Sequence, residues 1–236
     1  MKRENLERAI ADAVRDADLR PEQIPSIDLY LDQVMSLMEE KRLESSDCFA
    51  DRVMTKTMVN NYSKDGLISP VKGKKYSREQ ILQMLLVYHM KNTLSIGEIK
   101  QALQSVYTLQ DYDGKRLEGI YARFLTVKDG QREQTDTLVR ALAEQEQLNP
   151  EDDCDLFLLI LGLSSLSSYL KNTAQVLLAD WCAELASDAE EREKERRDEQ
   201  KRQKQEKKAA KAAKKSEPTD ATEASTADAA REGGEV

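Results

Sequence analysis

Cysteine, proline, glycine and aromatic residues are all scarce in this chain of 236 residues, which has 3 Cys, 5 Pro, 9 Gly and only 5% Phe, Trp and Tyr. Each shortage excludes something. Cys48, Cys154 and Cys182 are odd in number and stand in no CxxC or CxxxC spacing. That argues against a disulfide framework and for reduced thiols in a cytosolic setting. His89 is the only histidine. A metal needs three or four converging ligands, so no metal and no cofactor are expected. No long alternation of β-branched and aromatic residues suggests a sheet. No P-loop, GxSxG, HExxH or GxGxxG before a helix occurs, and the chain does not read as an enzyme. The one strongly apolar run, residues 156–163, is followed by Ser164, Ser165, Ser167 and Ser168. It falls short of the ~20 apolar residues that span a bilayer. The first residues are too charged for a signal peptide and too acidic for a transit peptide. The expectation is a soluble, cytoplasmic protein with no membrane partner.

What is abundant is Leu, Ala, Gln, Glu, Lys and Met, all good helix formers. Charge is abundant too, and uneven. The chain carries a net charge of -8, yet residues 52–91 hold Arg52, Lys56, Lys64, Lys72, Lys74, Lys75, Arg78 and Lys91 against only Asp65 and Glu79. A polyanion could therefore be met only by a local patch, and the acidic remainder would make such contact sensitive to salt.

Along the chain, residues 3–18 read as an amphipathic helix ended by Pro21 and Pro25. A second helix runs from Ile27 to about Leu43 through Leu31, Val34 and Met38. Residues 48–53 are either one helical turn or an ordered loop. Residues 55–65 form a short helix, with Thr55 as N-cap and Gly66 as its left-handed end. Met58, Val59 and Tyr62 share its apolar face. Ser77-x-x-Gln80 and Ser95-x-x-Glu98 match the capping box and open helices over about 78–92 and 96–107. The first of these is apolar on several sides and should lie at the centre of the domain. Between residues 108 and 132 the pattern weakens, with Gly114, Gly119 and Gly130 marking turns. A helix over 133–148 follows, with Leu138, Ala141, Leu142 and Leu148 as its apolar side. A last helix runs from about 152 to 185. Beyond Asp188 the chain has no apolar seam, only i,i+4 charge pairs worth ~0.2–0.5 kcal/mol each, and reads as a solitary charged helix. Residues 216–236 should be disordered.

Two features carry chemistry. The polar face of residues 55–65 presents Lys56, Thr57, Asn60, Asn61 and Lys64, residue types that bind phosphates and base edges. The loop Lys72-Gly73-Lys74-Lys75-Tyr76 holds three lysines around a glycine, suited to a phosphate backbone. A solvated helix face and a solubilising turn are the plain alternatives. The basic residues 207–215 read chiefly as a solvated tail.

Tyr62-Ser-Lys-Asp-Gly66-Leu67-Ile68-x-Pro70, then Tyr76-Ser77-x-x-x-Ile81, then Leu94-Ser95-Ile96-x-Glu98-Ile99 resembles the DNA-binding domain of MerR-type regulators. Residues 24–110 more closely resemble a bacterial family of unknown function, of the DUF1836 type. The residues that carry this likeness are Ile24 to Tyr30, Thr55 to Tyr62 and Lys74 to Ser77. The resemblance implies a winged helix-turn-helix in which residues 55–65 are the recognition helix and 69–76 the wing. Carried over by position, Thr55, Lys56, Asn60, Asn61 and Tyr62 fall where MerR-type proteins touch DNA. Asn60 stands where an arginine is frequent, Asn61 stands in place of the first of two tyrosines, and the wing is short. The resemblance also implies a homodimer through a long helix, here residues 152–185. Internal packing of that helix is the other reading.

The expected architecture is all-α. It comprises an N-terminal helix and linker (1–23), a MerR-like winged helix-turn-helix (24–110), a helical C-terminal region (111–187) and a charged, largely disordered tail (188–236). The expected function is sequence-specific binding of double-stranded DNA as a transcriptional regulator. The DNA-binding residues would be Thr55, Lys56, Thr57, Asn60, Asn61, Tyr62, Lys64, Lys72, Lys74 and Lys75. The competing expectation is a protein-interaction module that keeps the fold without DNA.

Overall fold

A computed structural model of the chain describes residues 3–71, 73–109 and 111–215. Lys72, one of the expected wing lysines, and residues 216–236, the expected disordered end, lie outside the described residues. Among the described residues the chain is predominantly helical, as its composition implies. In order the elements are α1 (Arg3–Val14), β1 (Leu29–Tyr30), α2 (Leu31–Glu44), α3 (Lys56–Lys64), β2 (Lys75–Tyr76), α4 (Arg78–Met90), α5 (Ile96–Tyr107), α6 (Gly114–Gln145) and α7 (Asp153–Lys215). Single 3-10 turns occupy Pro21–Gln23 and Asp47–Phe49, the second falling where the sequence allows either a helical turn or a loop.

The chain divides into two units, Met1–Leu185 and Ala186–Val236. The first is built around α4. Ile81, Leu82, Met84, Leu85 and Val87 are all buried, and α6 lays Leu117, Tyr121 and Leu125 into the same core. Val59 and Tyr62 of α3 and Ile99 and Leu103 of α5 complete it. The caps form as the sequence predicts. Thr55 Oγ1 accepts the Met58 N–H at 3.2 Å. Ser77 and Ser95 each close a capping box with Gln80 and Glu98. Such caps satisfy N–H groups that the first helical turn leaves free.

Tertiary contacts change three local expectations. The second helix begins at Leu31 rather than Ile27, because Leu29 and Tyr30 are extended and pair antiparallel with Tyr76 and Lys75. Ile27 is left 69% exposed. Residues 114–145 form one continuous helix, so Gly119 and Gly130 mark no turn and Gly114 only begins it. The apolar side of its second half is Val139 and Ala143, while Leu138 and Ala141 face solvent.

The reason α6 survives its glycines is a charged staple as much as apolar burial. Asp16 and Asp18, in the segment after α1, meet Lys128 and Arg132 of α6. Arg132 Nη2 reaches Asp16 Oδ1 at 2.7 Å and Asp18 Oδ2 at 2.5 Å. Lys128 Nζ reaches Asp18 Oδ1 at 2.5 Å and also pairs with Asp16. Tyr121 donates its hydroxyl to the Leu19 carbonyl at 2.9 Å. His89 is buried beside this network, 3.7 Å from Asp18 and with its ring 4.9 Å from that of Phe124. Burial, and then the positive charge of Lys128, push the imidazole pKa down to about 4.

In the first unit, α7 buries Leu159 and Leu178 but leaves Phe157, Leu158, Ile160, Leu161, Tyr169, Leu170, Val176 and Leu177 exposed. By length and composition alone α7 is long and apolar enough to cross a membrane. The apolar run 156–163 is shorter than this stretch because serines follow it, and their near-neutral hydropathy does not interrupt the longer one. In the second unit the helix is held by its own charges. Arg197 meets Glu193 at 2.5 Å, Arg192 meets Asp188 at 3.5 Å and Lys201 meets Asp198 at 3.4 Å.

Candidate nucleic-acid interface

α3 owes its position to its two buried residues. Val59 and Tyr62 face the core, which turns Lys56, Thr57, Asn60, Asn61 and Lys64 outward, all exposed. Its end is fixed by Gly66 at φ +74°, the left-handed conformation that costs glycine least. That turn lets the Leu67 N–H reach the Tyr62 carbonyl at 2.9 Å and drops Leu67 and Ile68 into the core. Full burial of two such side chains is worth roughly 1.5–3 kcal/mol each. Pro70 then prevents helix from resuming.

The loop after it is clamped at its base by two buried glutamines of α4. Gln83 Oε1 accepts the Ser69 N–H at 2.8 Å, and Gln83 Nε2 donates to Ser69 Oγ at 2.9 Å. Gln80 Nε2 donates to the Ser69 and Pro70 carbonyls, both at 3.0 Å. Gly73, at φ +76°, reverses the chain, and Lys75–Tyr76 returns as β2. Sequence reasoning places Gln80 in a capping box and gives Gln83 no part. The only signal for a loop clamp is a pair of polar residues interrupting an otherwise apolar helix.

The segment from Tyr30 to Asp32 links the two features. Lys75 of the loop lies over the Tyr30 ring, its Nζ 5.1 Å from the centroid. Two residues on, Asp32 forms an ion pair with Lys56 of α3. Lys56 and Lys75 therefore both contact one short stretch of chain.

Of the ten residues read as DNA-binding, Thr55, Lys56, Thr57, Asn60, Asn61, Lys64, Lys74 and Lys75 are exposed. Tyr62 differs: it is 5% exposed, its ring belongs to the core, and burial raises its phenol pKa. Lys72 lies outside the described residues. The basic patch open to a partner is also smaller than its composition suggests, because several of its described cations touch other parts of the chain. Besides Lys56, Arg78 donates to the Ile24 and Pro21 carbonyls at 2.7 and 2.8 Å and pairs with Glu118 at 2.9 Å. Arg52 sits over the Phe49 ring, and Lys91 bonds the Val53 carbonyl. Lys64, Lys74 and Lys75 remain as exposed lysines with no ion pair among the described residues. No group of three or more His, Cys, Asp or Glu side chains that could hold a metal occurs among them either.

Residues 19–124 match the family model of a domain of unknown function, DUF1836. That range takes in α2 to α5 and the first part of α6, somewhat less than half of the chain. No curated protein and no solved structure matches the chain.

Proposed function

We propose that residues 24–110 form a winged helix-turn-helix of the MerR type and that the protein binds double-stranded DNA sequence-specifically, as a transcriptional regulator. In this reading α2 and α3 are the helix-turn-helix, α3 is the recognition helix and residues 69–76 are the wing. The observation that carries it is the pairing of β1 with β2. It brings the loop lysines beside the segment that also holds the start of α3, so both features can address one duplex. Thr57, Asn60 and Asn61 suit base edges, because an amide offers a donor and an acceptor side by side. Lys64, Lys72, Lys74 and Lys75 suit phosphates. The reading includes no catalytic step.

The exposed apolar side chains of α7 support a homodimer through residues 152–185, since a monomer rarely leaves so many large apolar groups in water. A dimer would also double a small basic patch. One observation favours a second reading, a protein-interaction module that keeps the fold without binding DNA. Lys56 is paired with Asp32, and Arg78 is held by the Ile24 and Pro21 carbonyls and by Glu118, so neither is free for a phosphate.

Selection of genomic DNA fragments on the purified protein separates the readings. A regulator retains particular fragments, and retention weakens between about 50 and 200 mM salt because phosphate contacts release counterions. Indifference to every fragment at low salt would leave the interaction module. Sedimentation equilibrium reads the dimer, and flotation with anionic vesicles would instead assign the apolar stretch of α7 to lipid.

A further inference from the structure

A second candidate site is a hollow lined by α2, by Arg52 and Met54 of the segment that leads into α3, and by α4. Met35, Met38 and Met54 form its floor with Tyr88, and Glu39, Arg42 and Arg52 rim it; its volume is about 230 Å³. Polarisable, unbranched methionines adapt their shape to apolar ligands. The rim is electropositive. Arg42 is matched by Glu39, at 2.6 and 2.8 Å. Arg52 is not matched in the same way. Its nearest carboxylate oxygen, Asp16 Oδ2, is 3.7 Å away and already held by Lys128. Just outside the lining, Lys91 lies with its Nζ 5.6 Å from the Tyr88 ring centroid, donates to the Val53 carbonyl and has no carboxylate partner among the described residues.

We propose that this hollow binds a small carboxylic acid with an apolar body, a single aromatic ring or a short aliphatic chain, its carboxylate seated beside Arg52 and Lys91. The volume lies below the roughly 300–1,000 Å³ of pockets for drug-sized ligands, which excludes nucleotides and favours a fragment-sized acid. Burial first and the charge of Arg52 second lower the Lys91 pKa, and an anion between the two would relieve that repulsion. Met54 immediately precedes Thr55, the N-cap of α3, so occupancy is felt at the start of that helix. The site stands whether or not α3 reads DNA.

The chain has seven methionines, which makes methyl NMR of methionine-labelled protein a direct test. Benzoate and hexanoate should shift the Met35, Met38 and Met54 methyls together and saturably, leaving the Met84 methyl in place. The Met58 amide, which Thr55 caps, should move with them. Benzamide lacks the charge and acetate lacks the apolar body, so neither should reproduce the shifts. Arg52→Gln and Lys91→Gln should each weaken binding at least about tenfold, the loss of one charge-assisted hydrogen bond. The unchanged dispersion of the Met84 methyl would show that the variants fold. Absence of saturable shifts up to the solubility of the acids would overturn the proposal, as would equal shifts from benzamide or undiminished binding by both variants.

Discussion

Gln83 holds Ser69 by two hydrogen bonds at once, accepting from its backbone N–H at 2.8 Å and donating to its hydroxyl at 2.9 Å. A fully buried amide on α4 thus fixes the point where the basic loop leaves the core. Gln80, donating to the Ser69 and Pro70 carbonyls, completes the clamp at the base of the loop.

Gln83→Leu should therefore cost about 1–3 kcal/mol, the penalty of leaving the part-buried Ser69 N–H without its acceptor. Urea unfolding measures the loss. Hydrogen exchange at the Ser69 amide should rise more than exchange elsewhere in the core. Gln83→Glu, which keeps the acceptor, should protect that amide better than Gln83→Leu does.

Lysine and asparagine substitutions should separate two kinds of DNA contact. Lys64→Ala, Lys74→Ala and Lys75→Ala should each weaken all fragments alike and lower the salt dependence by about one counterion. Asn60→Ala and Asn61→Ala should instead relax sequence preference, by about 1–3 kcal/mol of discrimination at the affected base pair. Tyr62→Phe, at a core position, should leave preference unchanged. Binding titrations on a selected fragment and on its single-base variants read all three outcomes.

Gly119→Ala and Gly130→Ala should stabilise the protein, each by about 0.5–1 kcal/mol, because both lie inside α6 and an added Cβ meets nothing within 4 Å. Gln147, at φ +55°, ends α6 in the left-handed region, and Gln147→Gly should relieve that strain. Thermal unfolding of the three variants tests this. A fall in melting temperature for Gly119→Ala would mean a break in α6 at that residue.

Acid should destabilise the fold through His89. Its pKa is about 4 when folded, below the roughly 6.5 of a free imidazole, so the unfolded chain takes up the proton first. The stability it lends is full above about pH 6.5 and is lost as pH falls towards 4, on the order of 3 kcal/mol over that window. The charged groups around it are Asp16, Asp18, Lys128 and Arg52. Asp16 adds a loss at lower pH. Burial alone would raise its pKa, but hydrogen bonds from Lys128 and Arg132 outweigh that and hold it below the usual carboxylate range. His89→Leu should flatten the fall in melting temperature between pH 6.5 and 4.5 while leaving the more acidic loss in place.

Local sequence is enough to place the caps of the helices and the turn after α3. Thr55, Ser77 and Ser95 cap because each side chain reaches an N–H three residues away, and Gly66 ends α3 because left-handed backbone costs glycine least. These are short-range interactions, legible from neighbours alone. Where α2 begins, whether α6 breaks at Gly119 and which cations stay free are settled by packing. Tyr30 is strand rather than helix because Lys75 lies opposite it. Arg78 and Lys56 are engaged because Glu118 and Asp32 are brought to them from distant parts of the chain. A partner's position depends on the packing of the whole core, and no local pattern encodes it.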